Sequence, residues 1–237
     1  SNIVELKNKN KDIHITCISM GSLKAKNVLI RCRAIGADDV ILLSDEAFAG
    51  SDTYATIYIL EQAIKKIGCF DIIVCGKKAV DGETGQVGYG LAYRLGVDCF
   101  TQVNEILEVN GKNDISTFGN EIPDNKYSGT ITFSHINEEN EETIKTPTPV
   151  MLIFGPFMTQ KNISLLCLKR SIKKPVTVWD HDTLNSEVSL CGLKGSKTKV
   201  LNVKSMMDKK ENVVLEGTID EKAEQFLRIL KIEEIKK

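Results

Sequence analysis

A short apolar run, Asp71-Ile72-Ile73-Val74-Cys75, is followed by a loop of glycines and polar side chains and then by a helical pattern from Val87 to Leu95. An uninterrupted apolar run of this length, bounded by turn residues, reads as a buried parallel strand. The order strand, glycine-containing loop, helix constrains the fold more than any other part of the chain. It also builds a place for an anion. The free N–H groups of a first helical turn, and the positive end of the helix dipole, attract phosphate. Gly76 opens the loop at the strand's carboxyl end, and Gly82 and Gly85 let the backbone turn sharply. From residue types alone, the stretch Gly76 to Gly88 is either an anion-binding mouth or a connecting turn. Lys77, Lys78, Asp81, Glu83, Thr84 and Gln86 within one short span weigh toward the mouth. Hydroxyl and amide side chains at a helix start donate hydrogen bonds, and Asp81 accepts from ribose hydroxyls or backbone N–H groups.

The segments before this loop alternate. Residues 13–19 read as a strand and Met20-Gly21-Ser22 as a turn. Lys24 to Ile35 has helical spacing through Ala25, Val28, Leu29, Cys32 and Ala34, with Gly36 as its stop. Asp39 to Leu43 is a second strand. Ser51-Asp52-Thr53 caps a helix that carries Ile57, Leu60, Ala63, Ile64 and Ile67 and ends at Gly68. This alternation predicts an α/β fold, a Rossmann-like parallel sheet with helices on both faces. Ligands of such sheets bind outside the carboxyl ends of the strands. The Met20 turn and the 76–88 loop both lie at such ends, so they are expected to grip one ligand together.

Beyond Gly96 the texture changes. Phe100 to Val109, Tyr127 to Asn137 and Glu142 to Phe154 alternate apolar and polar residues around turn clusters, which predicts antiparallel hairpins. Leu165 to Ile172 is a short basic segment with helical character. Pro175 to Trp179 is strand-like, Gly192 to Val200 a basic arm, and Asp220 to Ile232 an amphipathic helix. The expected division is an α/β domain over residues 3–155 and a C-terminal arm over 156–237 that packs on something else.

The charge balance, 31 basic against 32 acidic residues for a formal net of −1, provides no basic field for nucleic acid or an anionic membrane. The apolar runs are too short to insert in a membrane as a helix. The seven cysteines show no C-x-x-C spacing and read as reduced thiols of a cytoplasmic protein. The three histidines are isolated, so no metal site is expected. Ser1-Asn2 reads as a cloning scar, and the abrupt polar start suggests missing natural N-terminal sequence.

Other motifs fail their tests. Gly192-Leu193-Lys194-Gly195-Ser196-Lys197-Thr198 lacks the Gly that a phosphate loop places directly before Lys-Thr. Gly88-Tyr89-Gly90 falls inside a helix, with Tyr93 where a dinucleotide fingerprint needs its third Gly. No Ser-His-Asp or Cys-His set is visible, so no catalytic residue is expected. Trp179 reads as packing, and the Lys169-Arg170 to Lys173-Lys174 run as a solvated face.

Taken in order, Ser19-Met20-Gly21, Ala34-Ile35-Gly36-Ala37-Asp38, Phe48-Ala49-Gly50-Ser51-Asp52-Thr53, the 76–88 loop, Lys173-Lys174-Pro175 and Gly192-Leu193-Lys194-Gly195-Ser196 resemble the β subunits of electron transfer flavoproteins. The resemblance spans most of residues 13–235. It implies an α-subunit partner that holds the redox-active flavin, and an adenine nucleotide on this chain. Some members hold AMP there as a structural ligand. Others hold a second FAD that takes a hydride from NADH and divides the electron pair. The loop Asp81-Gly82-Glu83-Thr84-Gly85-Gln86-Val87-Gly88 is more similar to that of the FAD-holding members. By resemblance, Met20 lies against the adenine through its backbone, Gly76, Val80 and Asp81 line the nucleotide, and Thr84, Gln86, Val87 and Gly88 hold phosphates.

The resemblance also makes Leu165 an anchor for an acyl-CoA dehydrogenase-type redox partner, filling an apolar pocket. Three departures stand out. The family's first strand, with its Lys-Gln-Val-Pro segment, and the Asn-Pro stretch after it have no counterpart here. Gln160-Lys161-Asn162-Ile163 stands in place of Glu-Pro-Arg-Tyr. Lys197 replaces a common Pro. The alternative function is a non-redox adenine-nucleotide-binding module of the same fold.

Overall fold

A computed structural model describes residues 2–79, 82–111, 129–137, 140–155, 162–200 and 214–229. The first compact unit, Ser1–Lys199, is α/β. Its helices among the described residues are α1 (Asn2–Lys9), α2 (Lys26–Ile35), α3 (Thr53–Ile67), α4 (Val87–Leu95), α5 (Leu165–Ile172) and the one-turn α6 (Gly192–Gly195). Its strands are β1 (Thr16–Met20), β2 (Asp39–Leu43), β3 (Ile72–Gly76), β4 (Asp98–Asn110), β5 (Thr130–Ile136), β6 (Glu141–Pro147), β7 (Val150–Phe154) and β8 (Thr177–Trp179).

The parallel strands are divided between two sheets rather than joined in one. The first is all parallel, in the order β1-β2-β8. The second runs β3-β7-β4-β5-β6, parallel at β3-β7-β4 and antiparallel at β4-β5-β6. The expected hairpin run from Glu142 to Phe154 is two strands of opposite character. β6 pairs antiparallel at the sheet's edge, whereas β7 lies between β3 and β4 and is buried at all five positions. β6 ends on Pro147, and Pro149, which likewise cannot donate to a ladder, lies between the two strands. The polar start of the chain forms α1, whose Ile3 and Leu6 pack beside β4 and β5 residues.

Side-chain alternation sorts the residues of each strand onto two faces. In β2, Val40 and Leu42 face α2 through Leu29, while Ile41 and Leu43 face α3 through Tyr58, Ile59 and Ala63. In β7, Met151 and Ile153 pack on Ile57, Ile64 and the α4 residues Leu91, Ala92 and Leu95. Val150, Leu152 and Phe154 pack on Val103, Ile106, Ile131 and Phe133. Helix α3 therefore serves both sheets and is apolar around most of its circumference, as a buried helix must be. α4 lies close against it, because a Cβ at Gly90 would come within 2.4 Å of Ile57 Cδ1. A buried carboxylate locks the pair: Glu61 accepts from Arg94 Nε at 2.5 Å and meets Lys65 Nζ at 2.8 Å.

Two loops are tied down by acids. Asp45, after β2, accepts from the backbone N–H groups of Ala47 and His181 and meets His181 Nδ1 at 2.7 Å. Burial alone would raise the Asp45 carboxyl, but these hydrogen bonds outweigh it and bring it down to about 2. The bond to Asp45 raises His181 in turn. Asp52 caps α3 through Ala55 N–H at 3.0 Å, and its other oxygen accepts from Lys197 N–H at 2.7 Å and Thr198 N–H at 2.8 Å.

The glycines of the 192–195 turn explain that sequence better than phosphate does. Gly192 has φ +55°, and a Cβ there would lie 2.3 Å from Ala47 O. A Cβ at Gly195 would lie 2.0 Å from Leu190 O. Both contacts are to backbone, so neither side can yield cheaply.

The second unit, Val200–Lys237, contains α7 (Ile219–Ile229). Thr218 and Glu221 form a reciprocal cap: Glu221 Oε2 accepts from Thr218 N–H at 2.7 Å, and Thr218 Oγ1 accepts from Glu221 N–H at 3.4 Å.

Two outcomes follow from this packing. Gly195→Ala is expected to cost about 2 kcal/mol or more in urea unfolding, by overpacking against backbone, whereas Gly155→Ala, whose Cβ would meet no described residue within 4 Å, is expected to be near neutral. The Asp45–His181 pair sets a pH window. The Asp45 contribution is held above the ordinary carboxylate range and lost as pH falls toward about 2. The His181 contribution is full below the ordinary imidazole range and lost as pH rises through its raised pKa. The unfolding midpoint should therefore decline from pH 6 toward pH 9, roughly spanning the imidazole titration, and the decline should flatten in Asp45→Asn.

Candidate functional site

The N-termini of α3 and α4 lie side by side above the buried faces that hold these helices. Thr53, the first residue of α3, donates its hydroxyl to Gln86 Oε1 at 3.1 Å. Gln86 is the N-cap residue of α4. The two ends differ in their electrostatics. α3 is closed: Asp52 fills its first turn, and the Lys197-Thr198 arm caps Asp52 in turn. Burial raises the Asp52 carboxyl, yet the hydrogen bonds from Ala55, Thr198 and Lys197 lower it further, so it stays ionised. Among the described residues α4 has no side-chain cap, for its N-cap residue Gln86 makes none. Its chain enters the helix with Gly90 N–H bonded to Gln86 O at 3.0 Å, and the amides of the first turn before it have no partner within the helix. A helix start with no side-chain acceptor among the described residues is the half of this pair suited to an external anion.

The loop that leads to α4 is built from left-handed residues. Glu83 has φ 50° and Gly85 φ 63°. Glu83 N–H bonds to Ala79 O at 3.0 Å, and the Glu83 carboxylate meets Lys78 Nζ at 3.3 Å. Gly76 ends β3 beside Phe154, and a Cβ there would meet no described residue within 4 Å. Among the described residues, the backbone at the strand's carboxyl end is therefore uncovered.

The residues expected to bind nucleotide are placed as follows. Met20 ends β1 in register with Leu43, and the next N–H, of Gly21, bonds to Leu43 O at 3.0 Å. Met20 also packs on the cluster of Ile41, Leu43 and Ile59. Thr84 and Gln86 are exposed on the loop side of α4. Val87 is partly buried on the Met151–Ile153 cluster. Gly88 is buried, where a Cβ would lie 2.7 Å from Ile153 Cδ1 and 2.8 Å from Cys75 Sγ. Its lack of a side chain thus lets α4 sit down on β3 and β7, which carries its N–H into the first turn. Val80 and Asp81 lie outside the described residues. Leu165 opens α5 and is 75 % exposed, next to Leu166 at 67 %.

Sequence reasoning assigned Asp52 and Thr53 only as a helix cap. It did not foresee that Asp52 also seats an arm 145 residues away or that Thr53 reaches Gln86. The Lys197 ammonium lies 5.1 Å from the centroid of the Tyr54 ring, and the same ring is 5.9 Å from the Arg94 guanidinium. The arm is thereby held on α3 by both hydrogen bonds and cation–π attraction.

An adenylate fits the donors present. The first-turn amides of α4, the Gln86 carboxamide and the Thr84 hydroxyl are hydrogen-bond donors suited to phosphoryl oxygens, and the bare backbone at Gly76 admits a planar group. Among the described residues there is no group of three or more His, Cys, Asp or Glu suited to a metal ion. Among them, too, no helix is long and apolar enough to cross a membrane.

Residues 4–180 match the model of the electron transfer flavoprotein domain. The chain is 32 % identical to the electron transfer flavoprotein subunit beta of Clostridium acetobutylicum, over 94 % of this chain and 80 % of that protein. It is 30 % identical to the caffeyl-CoA reductase-Etf complex subunit CarD of Acetobacterium woodii, over 90 % of this chain and 75 % of that one. It is 32 % identical to the acryloyl-CoA reductase electron transfer subunit gamma of Anaerotignum propionicum, over 90 % of this chain and 76 % of that subunit. The family-wide match and these three relatives agree with the order of elements and with the resemblance carried by the loops: the chain belongs to the electron transfer flavoprotein family, among its β-type subunits.

Proposed function

We propose that this chain is the β subunit of a heterodimeric electron transfer flavoprotein that holds FAD at the open start of α4, and that it passes electrons from a donor such as NADH toward an acyl-CoA dehydrogenase-type acceptor. The observation that carries the nucleotide reading is the pair of adjacent helix N-termini, one closed by Asp52 and the other uncapped behind Gln86. In this reading Gln86, Thr84 and the amides of Val87 and Gly88 hold phosphates. Met20 and Gly76 border the adenine and ribose by backbone, and Val80 and Asp81 complete the lining. The flavin supplies the redox chemistry when bound, and the protein supplies position and electrostatics. FAD is favoured over AMP by the loop Asp81-Gly82-Glu83-Thr84-Gly85-Gln86.

Two exposed apolar elements support an assembled protein. α5 presents Leu165, Leu166 and Ile172, at 75 %, 67 % and 59 % exposure, beside Lys169, Arg170, Lys173 and Lys174. α7 presents Phe226, Leu227 and Ile229 about half exposed. Exposed apolar stripes rimmed by charge mark interaction surfaces. We assign α5, through Leu165, to the redox partner and the C-terminal segment, with α7, to the α subunit. The cytoplasm suits seven free thiols.

Flavin absorbance per heterodimer tests the cofactor. Two flavins are expected; one flavin together with released AMP would refute FAD on this chain. Leu165→Ala is expected to slow electron transfer to the cognate dehydrogenase by about tenfold, the scale of a lost anchor side chain, while bound nucleotide is unchanged. Normal transfer by that variant would remove Leu165 from the interface.

A further inference from the structure

We propose that Thr53 is a positioning residue for the nucleotide: its hydroxyl pairs with the accepting oxygen of the Gln86 carboxamide, so that the carboxamide presents its NH2 to the phosphoryl group. The inference rests on the adenine-nucleotide reading of the same mouth.

A glutamine side chain has an accepting oxygen and a donating NH2 on one flat group, and a half-turn about its last torsion exchanges them. At the mouth of an anion site the two orientations have opposite signs. The NH2 attracts a phosphoryl oxygen, whereas the oxygen repels it. Thr53 Oγ1 donates to Gln86 Oε1 at 3.1 Å, so the oxygen is engaged and Nε2 is the half left for a ligand. A phosphoryl oxygen selects the orientation that turns NH2 toward it, and Thr53 supplies the hydrogen bond that the carboxamide oxygen then needs.

The position of Thr53 is itself fixed from three sides. Asp52, directly before it, caps Ala55 N–H and seats the Lys197-Thr198 arm. The close approach of Gly90 to Ile57 sets the spacing of α3 and α4 one turn further along. The Glu61–Arg94 bond, at 2.5 Å, closes the same two helices one turn beyond that. Thr53 is thus a hydroxyl on a rigid post, and Gln86 is the exposed end of the neighbouring helix that needs one. With the carboxamide turned this way, the mouth offers donors: Gln86 NH2, the Thr84 hydroxyl and the first-turn amides of α4. Such a set favours a group that only accepts, as a phosphoryl does, over a neutral nucleoside.

The test is calorimetric titration of the complex with its α subunit, using AMP and adenosine as probes. Thr53→Val, equal in shape and without the hydroxyl, is expected to weaken AMP about fivefold to tenfold, the scale of one neutral hydrogen bond, and to leave adenosine within about twofold. Thr53→Ser should restore AMP binding. Gln86→Glu, which still accepts from Thr53 but cannot donate, should weaken AMP more than Thr53→Val does. In a Gln86→Ala background, Thr53→Val should have no further effect. Unchanged AMP binding by Thr53→Val overturns the proposal, as does an equal loss for adenosine, or an undiminished loss in the Gln86→Ala background. If the unsubstituted protein binds neither AMP nor FAD on this chain, the nucleotide reading of the mouth fails and this proposal falls with it.

Discussion

The burial of α3 between two sheets is the constraint on which the first unit depends. Tyr58, Ile59 and Ala63 close the β1-β2 side, and Ile57 and Ile64 close the β7 side. Burying a large aliphatic side chain stabilises by about 1.5–3 kcal/mol, and α3 supplies such side chains to two cores at once. A helix committed on both sides has little freedom to shift. Its N-terminus is therefore a fixed point, and the loops around the mouth are positioned by reference to it.

That fixed point is used electrically. Two positive helix ends side by side would repel one another and attract anions indiscriminately. Asp52 removes one from competition and, because it is saturated by N–H donors from α3 and from the 197–198 arm, remains ionised without drawing on the second. α4 keeps its end open. The same carboxylate thus closes one helix start and ties down the 197–198 arm, and leaves the neighbouring start as it is. The glycines of that arm are there for backbone contact: the Gly192 and Gly195 positions touch carbonyl groups of Ala47 and Leu190.

Outside the mouth, the apolar faces of α5 and α7 stay at the surface of their units. An electron carrier has to meet more than one protein, and exposed leucines beside lysines combine an apolar contact with charge steering. Family membership and these surfaces point the same way, toward a subunit that completes its burial in a complex.

The local elements were legible because their signals are local. Asp39–Leu43 and Val87–Leu95 occur where their apolar spacing puts them, and Asp52 and Gly68 bound α3 as capping chemistry requires. The place of β7 was not legible: Val150-Met-Leu-Ile-Phe154 adjoins an alternating stretch, and only its all-apolar character hinted at a strand buried on both faces. Nor was the division into two sheets, since pairing partners are chosen across the whole chain. At the mouth, the sequence by itself determined which chemical groups would be present: a helix start, a carboxamide, a hydroxyl and bare backbone at Gly76. Only the tertiary structure decided that Asp52 is consumed by a distant arm and that Thr53 reaches Gln86. The reason is physical: hydrogen-bond donors and acceptors are written residue by residue, but which of them meet depends on how α3 and α4 are packed, and that packing is set by side chains far from either.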